Sequence, residues 1–267
     1  MEDFLVTTTR GMFLVENGVP RKVADGWCFG LTWDRERLYV ADGLGGQGEV
    51  HAWSPSFERG ECLLAPVHDA HQILWWDGDL YATNTAENRI DVAGKGHVKW
   101  TDDNIHLNSV WCDGERFWVV EHRRGVMPAR VRAFDLGWKE ERVEEFYKLD
   151  TSHYWGLHNA YVEGGILHTL STRRMIARPL AGGEEERTVV GGYLRGLARG
   201  DMWYVGKSRL SERQTRNEGN GSVLLLDDDF QIVEEVLIPD CGQVHDVRLM
   251  AGGPAHNGLP FPGYERN

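Results

Sequence analysis

The chain has 267 residues, 41% of them hydrophobic, and a formal net charge of −12. That length can bury a large core, and the acidic surplus, with no basic stripe to neutralise phosphates, excludes nucleic acid as a partner. No apolar run is long enough to span a bilayer, and the N-terminus, MEDFLVTTTRG, starts acidic rather than as a signal peptide, so a cytoplasmic protein without a membrane partner is expected.

In chain order, the first segment, FLVTTTRGMFLVENG (4–18), reads as two strands. A pattern then starts and recurs: a polar residue, an aromatic or bulky residue a few positions on, a tight turn with Gly or Asp, and an aromatic-rich strand. The copies are FGLTWDRERLYVADG (29–43), HQILWWDGDLYATNT (71–85), LNSVWCDGERFWVVEH (107–122), LHNAYVEGGILHTLST (157–172) and LRGLARGDMWYVGKS (194–208). A half-copy, VHDVRLM (244–250), follows, and its partner is the N-terminal segment. Weaker strands lie between copies: VHAWS (50–54), RIDVAG (89–94), ARVRAFDLG (129–137), MIARPL (175–180) and SVLLLDDD (222–229). Period-2 strands at this density, with almost no helical periodicity, are all-β.

The interval between copies matches the roughly 40–50 residues of a four-stranded blade. The expected fold is a six-bladed β-propeller, closed by N- and C-terminal strands in one blade and forming a single domain over 1–267. The tail 251–267 reads as a surface-bound extension. Segments 137–155 and 208–221 read as loops on one face, and the charged runs KEERVEE (139–145) and EEER (184–187) as solvated loops or a short helix. The Trp residues on the first two strands of the units, among the 11 in the chain, are expected to pack blade against blade. GLGGQG (43–48) opens no helix, which excludes a dinucleotide site. Cys28, Cys62, Cys112 and Cys241 form no CxxC pair, so a zinc ribbon is excluded and four buried free thiols are expected.

In such a ring the starts of the inner strands and the ends of the second strands meet at one face. The starts supply Gln72 with His71, Asn108 with His106, His158 with Asn159, Arg195, and His245 with Asp246. The second residue of each copy (Gly30, Gln72, Asn108, His158, Arg195, His245) is taken as the equivalent channel position. The ends supply Asp42, Asn84, Glu121 with His122, Ser171 with Thr172, and Lys207 with Ser208; Glu16 and Asn17 come from the N-terminal strands. Polar groups converging on one axis make a pocket. One reading is a divalent metal held by His158, His245, His71, Gln72, Asn108 and Glu121, a donor set that favours Mn, Fe or Zn over Mg or Ca. The other is a metal-free anion site. There Arg195 clamps a carboxylate or phosphate with Lys207, Asn159 and Asp246, and His158 or His245 is general acid or base. His51, His97 and His168 have no counterpart in other units and read as structural, whereas His68 and His153 read as rim residues.

The W-x-DG-x-LY/W turn pattern resembles the six-bladed group that includes senescence-marker-protein/gluconolactonase-type hydrolases and NHL-type repeats. LRGLARGDMWYVGKSRLSER (194–213), with SVLLLD, is similar to an uncharacterised bacterial propeller family. The gluconolactonase resemblance implies one divalent ion on a Glu, Asn and Asp set; Asn108 matches in kind and Glu16 stands for the N-terminal Glu, while His158 and His245 depart from the pattern. In site type the His-rich centre is similar to seven-bladed lyases, the oligogalacturonate and streptogramin lyases. The expected protein is therefore a metal-dependent lyase or hydrolase acting on a small carboxylate-bearing substrate, with His158, His245 and Arg195 as its catalytic residues. The alternative is a non-catalytic propeller that binds a peptide, glycan or protein through the loops 137–155 and 208–221.

Overall fold

The computed structural model describes residues 1–43, 48–101, 103–122, 128–147, 156–210, 215, 217–254 and 257–265. Six four-stranded antiparallel sheets form the blades of a propeller. The N-terminal strands are β1 (Phe4–Thr8), β2 (Gly11–Glu16) and β3 (Val19–Ala24). The first complete blade is β4 (Cys28–Trp33), β5 (Leu38–Asp42), β6 (Gly48–Trp53) and β7 (Arg59–Val67). The second is β8 (Ile73–Trp76), β9 (Asp79–Asn84), β10 (Arg89–Val92) and β11 (Gly96–Val98), and the third is β12 (Leu107–Cys112), β13 (Arg116–Glu121), β14 (Ala129–Asp135) and β15 (Glu140–Phe146). The fourth is β16 (Leu157–Glu163), β17 (Ile166–Ser171), β18 (Arg174–Pro179) and β19 (Glu186–Val189), and the fifth is β20 (Tyr193–Arg199), β21 (Trp203–Ser208), β22 (Gly221–Leu226) and β23 (Ile232–Ile238). The sixth is closed by β24 (Val244–Leu249), which pairs with β1 in the order β24-β1-β2-β3. This is the expected closure.

Turn chemistry explains the repeat. Asp77 and Gly78 have φ of 47° and 84° and form the two-residue turn between β8 and β9; positive φ at both positions is what such a hairpin needs. In the first complete blade and the third, whose turns are longer, an Asp caps the loop. Asp34 Oδ1 accepts from the amides of Glu36 and Arg37, and Asp113 Oδ1 from those of Glu115 and Arg116. The second carboxylate oxygen is held by the next strand, Tyr39 OH in one case and Trp118 Nε1 in the other. The Asp-then-aromatic signature is thus a hydrogen bond that fixes hairpin register.

The core lies between blades. Trp111 packs edge-on against Tyr161, Tyr161 against Trp203, and Phe4 against Tyr204, each pair bridging neighbouring blades at 5.1–5.6 Å. Trp33, Trp111, Trp118 and Trp203 are buried, as expected, while Trp75 and Trp76 are half-buried. Cys28, Cys112 and Cys241 are buried free thiols, but Cys62 lies exposed on β7, against expectation. Burial pushes the Cys28 thiol up to about 12 and the Cys112 and Cys241 thiols to about 11, so these three stay protonated.

The charged runs are a correction. KEERVEE falls largely in β15 and EEER partly in β19, both outer edge strands. Their charges pair across the sheet, as in Arg130–Glu145 and Arg116–Glu141, and an exposed edge lined with charge resists pairing with another chain. Residues 148–155 and 211–214 of the two expected long loops, with His153 among them, lie outside the described residues, as do 44–47 of the glycine-rich segment.

The C-terminal extension crosses the end of the channel where the inner strands finish. Trp33 Nε1 donates to Leu259 O (2.9 Å), Trp111 Nε1 to Pro254 O (3.2 Å), and Phe261 packs on Trp33 and Phe57. Tyr264 OH reaches back to Asp3.

Candidate functional site: an imidazole row at the channel mouth

The other end of the channel is where the inner strands begin, and there their pairing is irregular. The register slips between Cys28 and Leu31, Leu107 and Ser109, His158 and Ala160, Leu194 and Leu197, and, opposite β24, between Thr7 and Thr8. A bulge frees residues from the ladder and re-aims their side chains. The residues left out of the ladder include Phe29, Asn108, Asn159, Arg195 and His245, and His158 is the last residue paired before its bulge. In the second blade Thr83 Oγ1 bonds Gln72 O as Thr169 Oγ1 bonds Asn159 O, which makes His71 the equivalent of His158. The channel position is therefore Phe29, His71, Asn108, His158, Arg195 and His245. The alignment on Gly30 and Gln72 is one residue out in those two copies. Gly30 needs its hydrogen, because a Cβ there would meet Gln72 Cα at 2.6 Å.

The cavity is lined by His71, Gln72, Asn108, Ser109, His158, Asn159, Arg195 and His245, but the free space is only about 10 Å³. That is room for about one water. The channel is filled by its own side chains, and anything larger must bind at its mouth.

A band of rings forms that mouth. Phe29, His71, His106, His122, His158 and Tyr193 follow one another at centroid distances of 5.0–6.2 Å, and His245 closes back on Phe29 at 4.7 Å. His106 enters through the left-handed backbone (φ 48°) just before β12, and His122 leaves β13. Gly156 makes room for His122, since a Cβ there would sit 1.6 Å from the ring. His122 Nδ1 is 3.3 Å from Leu157 O and His158 Nδ1 is 2.9 Å from Asn108 Oδ1. A ring nitrogen facing a carbonyl oxygen carries the proton, so both imidazoles have their lone pair on Nε2. His158 Nε2 and Gln72 Oε1 are buried with no hydrogen-bond partner among the described residues. Burial, with Arg195, His122, His71 and His106 around it, holds the His158 pKa well below the usual imidazole value, so this ring is neutral near pH 7.

His245 differs. Its Nδ1 lies 3.0 Å from Arg195 Nη1. A guanidinium only donates, so Nδ1 accepts and the neutral ring keeps its proton on Nε2. Neither that tautomer nor the adjacent positive charge suits a metal ligand, which removes His245 from the expected metal set. Arg195 is fixed further by Tyr193 OH at 3.1 Å. One side of the mouth is thus a row of imidazoles, two of which, His122 and His158, keep a lone pair on Nε2, and the other a cation with a proton donor.

The remaining expected residues have other duties. Glu121, buried, accepts from Arg132 Nε (2.5 Å) and Trp100 Nε1 (3.0 Å) inside its blade. Lys207 pairs with Glu235 at 3.0 Å on the outer part of the fifth blade, away from the cavity lining. Asp42 meets Arg59 and Asn84 meets Asp91 in the same way. Asp42, Glu121 and Lys207 point into blades because they pair opposite the residue before a bulge. Glu16 ends the third strand of its blade and faces Arg21 at 3.5 Å, so it does not stand at the mouth. Asn159 lines the cavity and clips two blades together, accepting from Gly196 N at 2.9 Å. Asp246 is fully buried on Arg248 (3.0 Å) and the Leu31 amide. Burial pushes its pKa up to about 6, against the pull of Arg248, two backbone amides and the Gln72 amide. It orients Gln72 from behind. His168 packs on Trp203 and His51 on Glu49 and Gly60, as structural readings expect.

One carboxylate was missed from sequence. Asp69, with φ 57°, brings its carboxylate within 4.8 Å of donor nitrogens of His71 and His106. Two imidazoles and a carboxylate are a donor set that Mn, Fe or Zn accepts. Its only sequence signal is the D-x-H spacing, which is common.

No protein-family model and no curated protein matches the chain. Solved structures share its fold. A chain of the nidogen/laminin complex superposes with a TM-score of 0.68 at 12% identity, covering 92% of this chain and 97% of that one. The periplasmic gluconolactonase of Pseudomonas aeruginosa gives 0.58 at 14%, covering 92% and 98%. A calcium-binding regucalcin from Agrobacterium tumefaciens gives 0.53 at 13%, covering 78% and 73%. At these identities the likeness is one of fold: the chain is a six-bladed β-propeller similar to lactonase-type, regucalcin-type and nidogen propellers.

Proposed function

We propose that the protein is a hydrolase whose site is the imidazole-lined mouth, acting on a small polar molecule with an anionic group and using a divalent metal held by Asp69, His71 and His106. The observation that carries this reading is the row of imidazoles running directly into the Arg195–His245 pair. A metal there would need His71 and His106 as neutral imidazoles with a lone pair toward the Asp69 side. A bound divalent ion would supply a water acidified enough to act as nucleophile near neutral pH.

The chain's own groups do the rest. Arg195, held by His245 and Tyr193, presents fixed positive charge to a carboxylate or phosphate and orients it over the row. His245 can donate from Nε2 to the same group. His158, kept neutral by burial, accepts a proton at Nε2 from a hydroxyl or water at the mouth. Gln72, held by Asp246, offers Oε1 as a fixed acceptor. The lactonase and regucalcin propellers support a hydrolase and a divalent ion as a class, and a lyase acting through the same proton acceptor is the nearest variant.

The test is elemental analysis of tag-free protein beside His71→Ala/His106→Ala, followed by a lactone and ester screen. Near-stoichiometric Mn, Fe or Zn in the parent, lost in the double variant together with activity, is the expected result. No metal after reconstitution would sink the metal reading. The rival, a propeller that binds a partner on one face, draws on the nidogen likeness and the filled channel; it requires that the histidine variants keep full function.

A further inference from the structure

A second convergence of donor atoms lies on the first complete blade, away from the channel. Asp42 and Glu49 are directly opposite each other in β5 and β6, and His51 and Cys62 in β6 and β7. Opposed residues share a face of the sheet, as do residues two apart on one strand. Asp42, Glu49, His51 and Cys62 therefore project from a single face. The β6–β7 register slips three times along this stretch, which draws the side chains together. Donor atoms of Glu49, His51 and Cys62 all lie within 4.8 Å of one another.

What sits at their focus is a cation. The Arg59 guanidinium is 2.8 Å from His51 Nε2, 3.3 Å from Glu49 Oε2 and 3.1 Å from Asp42. His51 Nδ1 faces the Gly60 carbonyl at 3.2 Å, while its Nε2 lies 2.8 Å from Glu49 Oε2 as well as from the guanidinium, so Nε2, Glu49 and the cation meet at one point. A histidine whose one ring nitrogen is oriented by a backbone carbonyl presents the other as a metal ligand does, and here that nitrogen and the Glu49 carboxylate face the same cation. The arginine is removable: its side chain is 49% exposed, and Cys62 faces solvent.

We infer that Glu49, His51 and Cys62, with Asp42 as fourth donor, form a binding site for a thiophilic divalent cation of the Zn²⁺ class, for which Arg59 is the internal competitor. One thiolate, one imidazole and two carboxylates complete a tetrahedral set for such an ion. Binding converts the Cys62 thiol to a metal-bound thiolate and releases one proton to solvent, while Arg59 swings outward. Affinity therefore rises with pH.

Titration with Co²⁺ separates this site from the channel mouth, because no cysteine lines the mouth. The full chain should develop a thiolate-to-cobalt charge-transfer band that Zn²⁺ abolishes. Cys62→Ser and His51→Ala should each lose the band, with Asp69, His71 and His106 intact. Arg59→Ala should keep it and bind about fivefold more tightly, as expected when a competing exposed ion pair is removed. The inference is overturned by no band in the parent chain, by a band only in Arg59→Ala, or by a band that survives Cys62→Ser. A mouth that binds no metal leaves this result untouched, and the reverse also holds.

Discussion

The two ends of the channel are built from the same six strands and have opposite chemistry. At the mouth each inner strand begins in a bulge or just before its ladder, and imidazoles, an arginine and amides converge. At the far end the strands finish in regular hairpins, and Trp33 and Trp111 are covered by residues of the C-terminal extension. The difference lies in the backbone. Unpaired strand starts can aim polar side chains at the axis, whereas paired strand ends carry large rings that pack between blades and under the strap. Fold stability should therefore be damaged most from behind the mouth and at the strap, with function changed from the rim.

The largest effect is expected at Asp246, which underlies the mouth. Asp246→Ala leaves Arg248 buried without its partner and should cost about 3–5 kcal/mol in urea unfolding. A loss below about 1 kcal/mol would mean that the pair is not buried as described. Next is the strap: Phe261→Ala should cost about 3 kcal/mol by cavity formation, with metal content at the mouth unchanged. If metal content falls with stability, the two ends are not independent.

The smallest effect concerns a histidine outside the site. Burial and Arg199 lower the His168 pKa from 6.5 to about 4. Between those values the unfolded chain binds a proton that the folded chain does not. Stability is intact above pH 6.5 and declines toward pH 4 by at most about 1.4 kcal/mol per pH unit. His168→Phe should flatten that part of the pH–stability curve; an unchanged slope would assign it to other groups, His158 first among them.

Much of this was readable in the chain. The Asp-capped turns followed by aromatics disclosed the blades, because that pairing of residues is itself the hairpin hydrogen bond. Asn108, His158, Arg195 and His245 were found because Leu or Val precedes each. Phe29 and His71 were displaced by one position because Cys28 and Ala70 hide that apolar marker. Glu121 and Lys207 share a strand end with His122 and Ser208, and only the direction of the side chain, set by pairing, separates them. The charged outer strands were illegible since one face meets water and the edge is held by cross-strand ion pairs rather than by an apolar stripe. Asp69 depends on a left-handed residue that no periodicity marks.

The β24–β1 pairing has a consequence for the order of assembly. Its equilibrium cost is modest, because closure entropy grows only with the logarithm of loop length. Its kinetic cost is larger, since contacts between the two ends of a chain form late. During synthesis β1, β2 and β3 emerge first yet have no inner strand until β24 follows. The histidines His71, His106, His122 and His158 come from blades already complete by then. The Arg195–His245 contact cannot exist before β24 packs on the fifth blade. The positive side of the mouth is thus a late product of folding, and an unfinished ring would carry the imidazole row without the group that selects what it meets.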